Sequence, residues 1–285
     1  MKLNKHICQG QLLHRGISRA GLSESEITVS ENNYFRWMAF DDVVQSVMNK
    51  RKPWLLTLPH QNVMLFPLLF FKPSHILELG LGGGNIRRFI EHLSPNIQID
   101  SVEHSAEVID CFNEYFSPDL AEHSKHHSNK TDANQDSNHT SYYKRTNIQL
   151  FYQDSNTWLL SKKSKQYDWY ICDIYQQNLA SYETTLKHLS SLMEHITNET
   201  CLTINVPDAT DNEIALCLML LKEQSAAHEV IYFNIPNYLN VVILLIPNHW
   251  QLHQRLRKNS NSYLAKPLFS RWKKFWELGN TYSSE

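Results

Sequence analysis

Between His75 and His104 the chain reads HILELGLGGGNIRRFIEHLSPNIQIDSVEH, and this stretch restricts the fold more than any other. Ile76–Leu79 is short, aliphatic and stopped by glycine, which is the pattern of a buried strand. Gly80, Gly82, Gly83 and Gly84 follow, where the backbone can take positive φ and come close to a ligand. Asn85 is the expected N-cap of a helix from Ile86 to Leu93, with Ile86, Phe89, Ile90 and Leu93 on one face. A second strand, Ile97–Val102, ends at Glu103. Strand, glycine turn, helix, strand and acid form the βαβ unit of a nucleoside-binding site.

The ligand can be narrowed by what the turn lacks. A dinucleotide fingerprint needs glycine at position 85, where the chain has asparagine, and a phosphate-cradling P-loop needs Lys-Ser/Thr, where it has Ile86-Arg87. The pattern present is acid-x-Gly-x-Gly-x-Gly: Glu78, Gly80, Gly82 and Gly84. Such a turn suits a ligand without phosphate whose amino-acid end is cationic. Glu103, about 20 residues on, is placed to accept hydrogen bonds from ribose hydroxyls. S-adenosylmethionine has both features.

The rest of the chain supplies the frame. With 285 residues, 42% hydrophobic and 20% charged, it has length for one large α/β domain and a small extra one. A net charge of -2 gives no electrostatic case for nucleic acid or an anionic membrane. The five cysteines form no C-x-x-C pair and read as buried free thiols of a reducing compartment. No run approaches the roughly 18 apolar residues of a membrane span, and the N-terminus lacks a signal-peptide core. The expected setting is cytoplasmic.

Residues 1–58 read as a small β-rich domain: 26–30 and 34–40 are β-branched or aromatic runs, while 41–48 fits a last strand or a turn into a helix. Residues 59–250 read as the Rossmann-like cofactor-binding domain, fed by a helix over Gln61–Phe70. Within it, 117–147 is rich in Ser, Asn, Asp, Lys and His and reads as a flexible insertion. Its His123, His126, His127 and His139 show no metal-ligand spacing, and no metal is expected. Strands end at Asp154 and Asp173, a fifth runs over Thr200–Val206, and Glu229–Ile235 with Val241–Ile246 closes the domain as a hairpin. The expectation is a seven-stranded, mostly parallel sheet with an antiparallel C-terminal hairpin. Residues 251–285 form a tail whose amphipathic helix carries Leu268, Trp272, Phe275 and Trp276 on one face.

In an open parallel sheet, ligands bind beyond the carboxyl ends of the strands. Glu78, Glu103, Asp154 and Asp173 all fall there. Together they suit a cationic, hydroxyl-rich ligand, with Asp154 and Ser155 towards the adenine and Asp173 near the sulfonium as base or orienter. Tyr175 either lines the acceptor pocket or packs on a helix.

ILELGLGGGNIRRF, the Glu103 strand end, the YQD strand end and YDWYICDIY together resemble the spermidine synthase group (polyamine aminopropyltransferases) of the class I S-adenosylmethionine-dependent methyltransferase fold. FDDVVQSVMN and LPHQNVM resemble the joint between that group's two domains. The resemblance covers roughly residues 24–247. It implies Glu103 as the ribose acid, Asp154 as the adenine-side acid, Asp173 as the catalytic acid and Gln45 as a donor-side glutamine. It also puts His60, with Gln61 beside it, in the substrate site. Two positions depart from the pattern. The group's aminopropyltransferases read GGGDGG at the turn, and Gly83 stands at the aspartate. They also carry a second acid and Gly-Pro after the catalytic aspartate, where this chain reads Asp173-Ile-Tyr-Gln-Gln-Asn178.

The implied activity is transfer of a methyl or aminopropyl group from S-adenosylmethionine or decarboxylated S-adenosylmethionine to a small nucleophile, an amine among the candidates. A genuine spermidine synthase of polyamine biosynthesis and a catalytically degenerate cofactor-binding protein are the alternatives. No nucleic-acid or membrane partner is expected, and a homodimer is left open.

Overall fold

Alternating side chains and tight turns build a β-meander first. Strands β1 (Gln11–Ala20), β2 (Ser23–Glu31), β3 (Phe35–Phe40) and β4 (Val43–Asn49) pair antiparallel in sequence order. The segment that fitted strand or turn is both. Asp41 (φ 41°) and Asp42 (φ 68°) form the turn, and Val43 pairs with Phe40 to start β4. Positive φ at both turn residues matches the right-handed twist of a two-residue hairpin, and aspartate tolerates it. The computed structural model describes residues 7, 9–20, 23–117, 141–145, 148–161, 166–174, 182–252 and 264–282.

Helix α1 (Pro59–Met64) follows, then a 3₁₀ turn over Phe66–Leu69. The expected continuous helix over Gln61–Phe70 is therefore broken, because Pro67 has no N–H to continue the ladder. The second sheet then alternates strand and helix: β5 (His75–Leu79), α2 (Asn85–Leu93), β6 (Gln98–Glu103), α3 (Ala106–Cys111), β8 (Ile148–Tyr152), α4 (Ser155–Ser161), β9 (Trp169–Cys172), α5 (Tyr182–Met193), β10 (Cys201–Pro207), α6 (Asp211–Gln224), β11 (His228–Asn234) and β12 (Asn240–Pro247). The five strands β8, β6, β5, β9 and β10 lie parallel. Strand β12 returns antiparallel between β10 and β11, as expected of a C-terminal hairpin.

The sheet is wider than the seven strands expected. Among the described residues its order is β13 (Asn280–Thr281), β11, β12, β10, β9, β5, β6, β8 and β7 (Ser141–Arg145), nine strands. Edge strand β7 (Ser141–Arg145) comes from the insertion 117–147 and pairs antiparallel with β8, so that part of the insertion is ordered sheet. Residues 118–140, with His123, His126, His127 and His139, and residues 146–147 lie outside the described residues. The other edge is β13 (Asn280–Thr281), from the tail.

Helix α7 (Lys266–Trp276) docks the tail on one face of the sheet. Trp272 is fully buried against Phe66 and Phe89, and Trp276 meets Phe70 and Phe233. Trp272 Nε1 donates to Asn62 Oδ1 of α1 at 3.2 Å, so the polar end of the indole is satisfied. Phe275, expected on the docking face, is instead 49% exposed; Phe269 takes the buried place. Trp272→Ala should therefore cost about 3–5 kcal/mol in urea unfolding. Phe275→Ala should stay within about 0.5 kcal/mol of the parent.

Candidate functional site

The chain steps from β5 outward through β6 to β8, then returns to β9 and β10 on the other side, so β5 and β9 flank the topological switch point. A crevice opens at the carboxyl ends of strands on either side of such a point. Here it is a cavity of about 1070 Å³, lined by both sheets.

Glycine is required where β5 ends. Gly80 has φ +91°, and a Cβ there would lie 2.3 Å from the Asp173 carbonyl oxygen. Its N–H donates to Val102 O at 2.9 Å, and Asp173 N–H donates to Leu79 O at 2.9 Å. The turn thus brings the ends of β5, β6 and β9 together, and only a residue without a side chain allows that approach. Gly83 serves differently. Its N–H donates to Ser46 Oγ on β4 at 2.8 Å, and a Cβ would meet Ser46 Cβ at 2.7 Å. Gly80 and Gly82 line the cavity, whereas Gly84 packs against the Phe112 ring and does not.

Asn85 is not the helix cap expected. Gly84, in the left-handed conformation, holds the cap position of α2, and Asn85 is the first helical residue. The Asn85 amide donates to Val47 O at 3.3 Å and Gln61 Oε1 at 3.2 Å, and accepts from Arg88. It still lines the cavity, with Gln61 beside it.

The four strand-end acids have different environments. Glu78 is buried within β5, accepting from Ser101 Oγ at 2.5 Å. Burial pushes its carboxyl up to about 7, against the Ser101 hydrogen bond and the nearby Arg87 charge. Glu103, equally buried, accepts from the N–H of Leu81 at 3.1 Å and of Ser105 at 3.0 Å, and pairs with His104 at 3.2 Å. Burial works to raise this group too, but His104 and the two N–H donors outweigh it and hold it below the usual carboxylate value. Asp154 is exposed and caps α4, accepting from Thr157 N–H at 2.9 Å and Thr157 Oγ1 at 3.1 Å, while it and Ser155 line the cavity. Asp173 accepts from Asn205 Nδ2 at 2.8 Å, and Asn205 Oδ1 accepts from Asn240 Nδ2 at 3.0 Å.

Gln45 and His60 also line the cavity. The Gln45 Nε2 and His60 Nδ1 atoms are buried with no hydrogen-bond partner among the described residues. Burial pulls the His60 imidazole below its ordinary value despite the Asp173 charge, so the ring is neutral at pH 7. Buried polar atoms of this kind are expected where a ligand completes the bonding. Tyr175 lies outside the described residues.

Of the residues singled out from the sequence, Glu78, Gly80, Gly82, Asn85, Glu103, Asp154, Ser155, Asp173, Gln45, His60 and Gln61 all line the one cavity. Missed were Asn205 and Asn240, which orient Asp173. Their signal was present: an amide inside the apolar strand Cys201–Pro207, and another opposite Pro207 on β12. Arg88 was also missed, and nothing in a helical arginine announces that it binds the Gly83, Phe116 and Pro53 carbonyls.

Glu78 gives a pH signature. Unfolded, its carboxyl ionises near 4.5; folded, it keeps its proton to about 7. Between these values the folded state holds more protons than the unfolded one, so this group lowers stability as pH rises. The full effect is on the order of 3 kcal/mol. Glu78→Gln keeps an acceptor for Ser101, and urea unfolding at pH 5 and 7.5 should show the variant losing less stability over that interval than the parent.

No family model matches the chain. A polyamine aminopropyltransferase of Neisseria meningitidis serogroup A is 36% identical over 87 residues, 30% of this chain and 33% of that protein. The chain thus spans about a third of the length of the curated relatives it matches. A probable spermidine synthase from Corynebacterium glutamicum superposes with TM-score 0.59 at 14% identity, covering 82% of this chain and 80% of that one. Human methyltransferase-like protein 13, solved in complex with SAH, superposes with TM-score 0.51 at 15% identity, covering 77% and 91%. The chain has the α/β fold of these structures, and here its mostly parallel sheet is preceded by a small antiparallel one.

Proposed function

We propose that this protein is a transferase that takes S-adenosylmethionine or its decarboxylated form as donor and passes a methyl or aminopropyl group to a small nucleophile. One observation carries the reading: the open glycine turn and the acids Glu78, Glu103, Asp154 and Asp173 converge on a single cavity. A cationic sulfonium nucleoside is the ligand that uses all of them. Glu103, kept ionised by its donors, accepts from the ribose hydroxyls. Asp154 and Ser155 stand on the adenine side. The amino-acid end lies over Gly80 and Gly82, beside Glu78, Gln45 and Asn85.

The reaction is an in-line displacement. The nucleophile attacks the carbon next to the sulfonium, the carbon–sulfur bond breaks, and its electron pair returns to sulfur as a neutral thioether. The nucleophile's proton leaves to Asp173 or to water. Catalysis then rests on positioning: Asn205 holds one Asp173 oxygen, leaving the other for the acceptor. Neutral His60 adds an unpaired ring nitrogen to the same cavity.

Gly83 bears on which group moves. A side chain there would collide with Ser46, and Gly83 does not line the cavity, so the turn offers no carboxylate at that position. This favours the full S-adenosylmethionine donor and methyl transfer. The name of the Neisseria meningitidis relative favours the second reading, a polyamine aminopropyltransferase with a rearranged acceptor site.

Calorimetry with both donors separates the two. S-adenosylmethionine should bind at least tenfold tighter than its decarboxylated form; the opposite preference sinks methyl transfer. Glu103→Ala should weaken donor binding by about 30-fold or more, the loss expected on removing a charged hydrogen-bond acceptor. Asp173→Asn should leave donor binding within about threefold and abolish turnover. If neither donor binds, the transferase reading fails.

A further inference from the structure

At β1, the edge of the small sheet opposite the β4 strand that meets Gly83, three ligand-type side chains from distant parts of the sequence come together. They are His14 on β1 and Glu107 and Cys111, one turn apart on α3. Their ligand atoms, one from each residue, all lie within 4.8 Å of one another. His14 Nε2 and Glu107 Oε1 are 2.6 Å apart. We infer that His14, Glu107 and Cys111 form a binding site for a zinc-type divalent cation that staples the N-terminal sheet to the cofactor domain.

The local structure is arranged around this meeting. The β1–β2 register shifts between Leu12 and His14, and such bulges re-aim the side chain that follows. Gly16, next on the same face of β1, leaves the space Glu107 occupies; a Cβ there would lie 1.8 Å from Glu107 Oε1. Helix α3 is fixed against β1 by a second contact, in which Ser18 Oγ donates to Ser105 Oγ, the helix N-cap, at 2.8 Å. Cys111 is buried, whereas His14 and Glu107 are each 27% exposed, so a cation has an approach from solvent, which would supply the fourth ligand.

Imidazole, thiolate and carboxylate together select zinc among common divalent ions, and magnesium and calcium would avoid the sulfur. At bond lengths of about 2.0–2.3 Å, tetrahedral donors sit about 3.5 Å apart, within side-chain rotation of the spacing seen. One thiolate and one carboxylate balance the ion's two charges. The thiol proton passes to solvent on binding, and the cation replaces the His14–Glu107 hydrogen bond.

The test does not depend on the proposed activity. The full chain, freed of metal by chelation and exchanged into chelator-free buffer, is titrated with cobalt(II), with zinc(II) as competitor. The expected result is one tight equivalent showing a sulfur-to-cobalt charge-transfer band, displaced by zinc, with a raised thermal midpoint. His14→Ala, at a part-exposed strand position that should not unfold the chain, and Cys111→Ser should each weaken binding by more than about 100-fold, the upper range for loss of an outer-shell group. Cobalt binding without the sulfur band overturns the site. So does binding that both folded variants retain, which would point to the chain's other histidines. No binding at micromolar cobalt also overturns it.

Discussion

The guanidinium of Arg88 is the interaction on which the site's geometry depends. Buried in α2, it donates to Pro53 O at 2.9 Å, to Phe116 O at 3.3 Å, to Gly83 O and to Asn85 Oδ1. Those acceptors belong to four segments: the loop leaving the small sheet, the end of the helical stretch after β6, the glycine turn and the start of α2. Asn85 extends the set to Val47 on β4 and Gln61 on α1. Burial pulls the Arg88 guanidinium down to about 9, still charged at neutral pH. A planar group with five donors can satisfy that many carbonyls at once, where a lysine could not. Without it several buried carbonyls would lose their partner, at about 1–3 kcal/mol each.

A clamp at the turn also fixes the electrostatics beside it. Arg87, the neighbour of Arg88, is fully buried, pairs with Glu91 at 3.2 Å and reaches Ser101 Oγ at 3.4 Å, the hydroxyl that donates to Glu78. Glu78 therefore sits near a cation but in a dry environment, and burial dominates. Glu103, one strand away, meets two backbone N–H groups and a histidine, and hydrogen bonding dominates. Two carboxylates in one cavity are thus shifted in opposite directions, Glu78 upward by burial and Glu103 downward by His104 and two backbone N–H donors.

Much of this was legible in the sequence because it is local. Ile76–Leu79, the glycines and Glu103 lie within one βαβ unit, and strand-end acids need only strand boundaries to be placed. The sheet's C-terminal hairpin followed for the same reason. What escaped notice is long-range. The role of Arg88 emerges only once the fold brings the carbonyls of Pro53 and Phe116 to it. Asn85 satisfied the cap pattern by residue type, yet the left-handed backbone at Gly84 took the position. The insertion looked uniformly polar, and β7 forms in it because the edge of β8 supplies backbone partners that composition does not reveal. His14 and Cys111, 97 residues apart, have no motif spacing and meet only across the two sheets.

Gly83 joins the local and the long-range arguments. Read from the sequence, it is a missing carboxylate at a position where relatives of the resemblance carry one. In the fold it is a packing requirement: the small sheet's Ser46 occupies the space a side chain would need, and its hydroxyl takes the Gly83 N–H. Restoring an acid at position 83 alone would therefore not restore an amine-binding group; it would drive β4 away from the turn and loosen Val47, Asn85 and Gln61 with it. A change of donor preference here requires positions 46 and 83 to change together. The small antiparallel sheet is thus part of the proposed donor site, since it decides what chemistry the glycine turn can present.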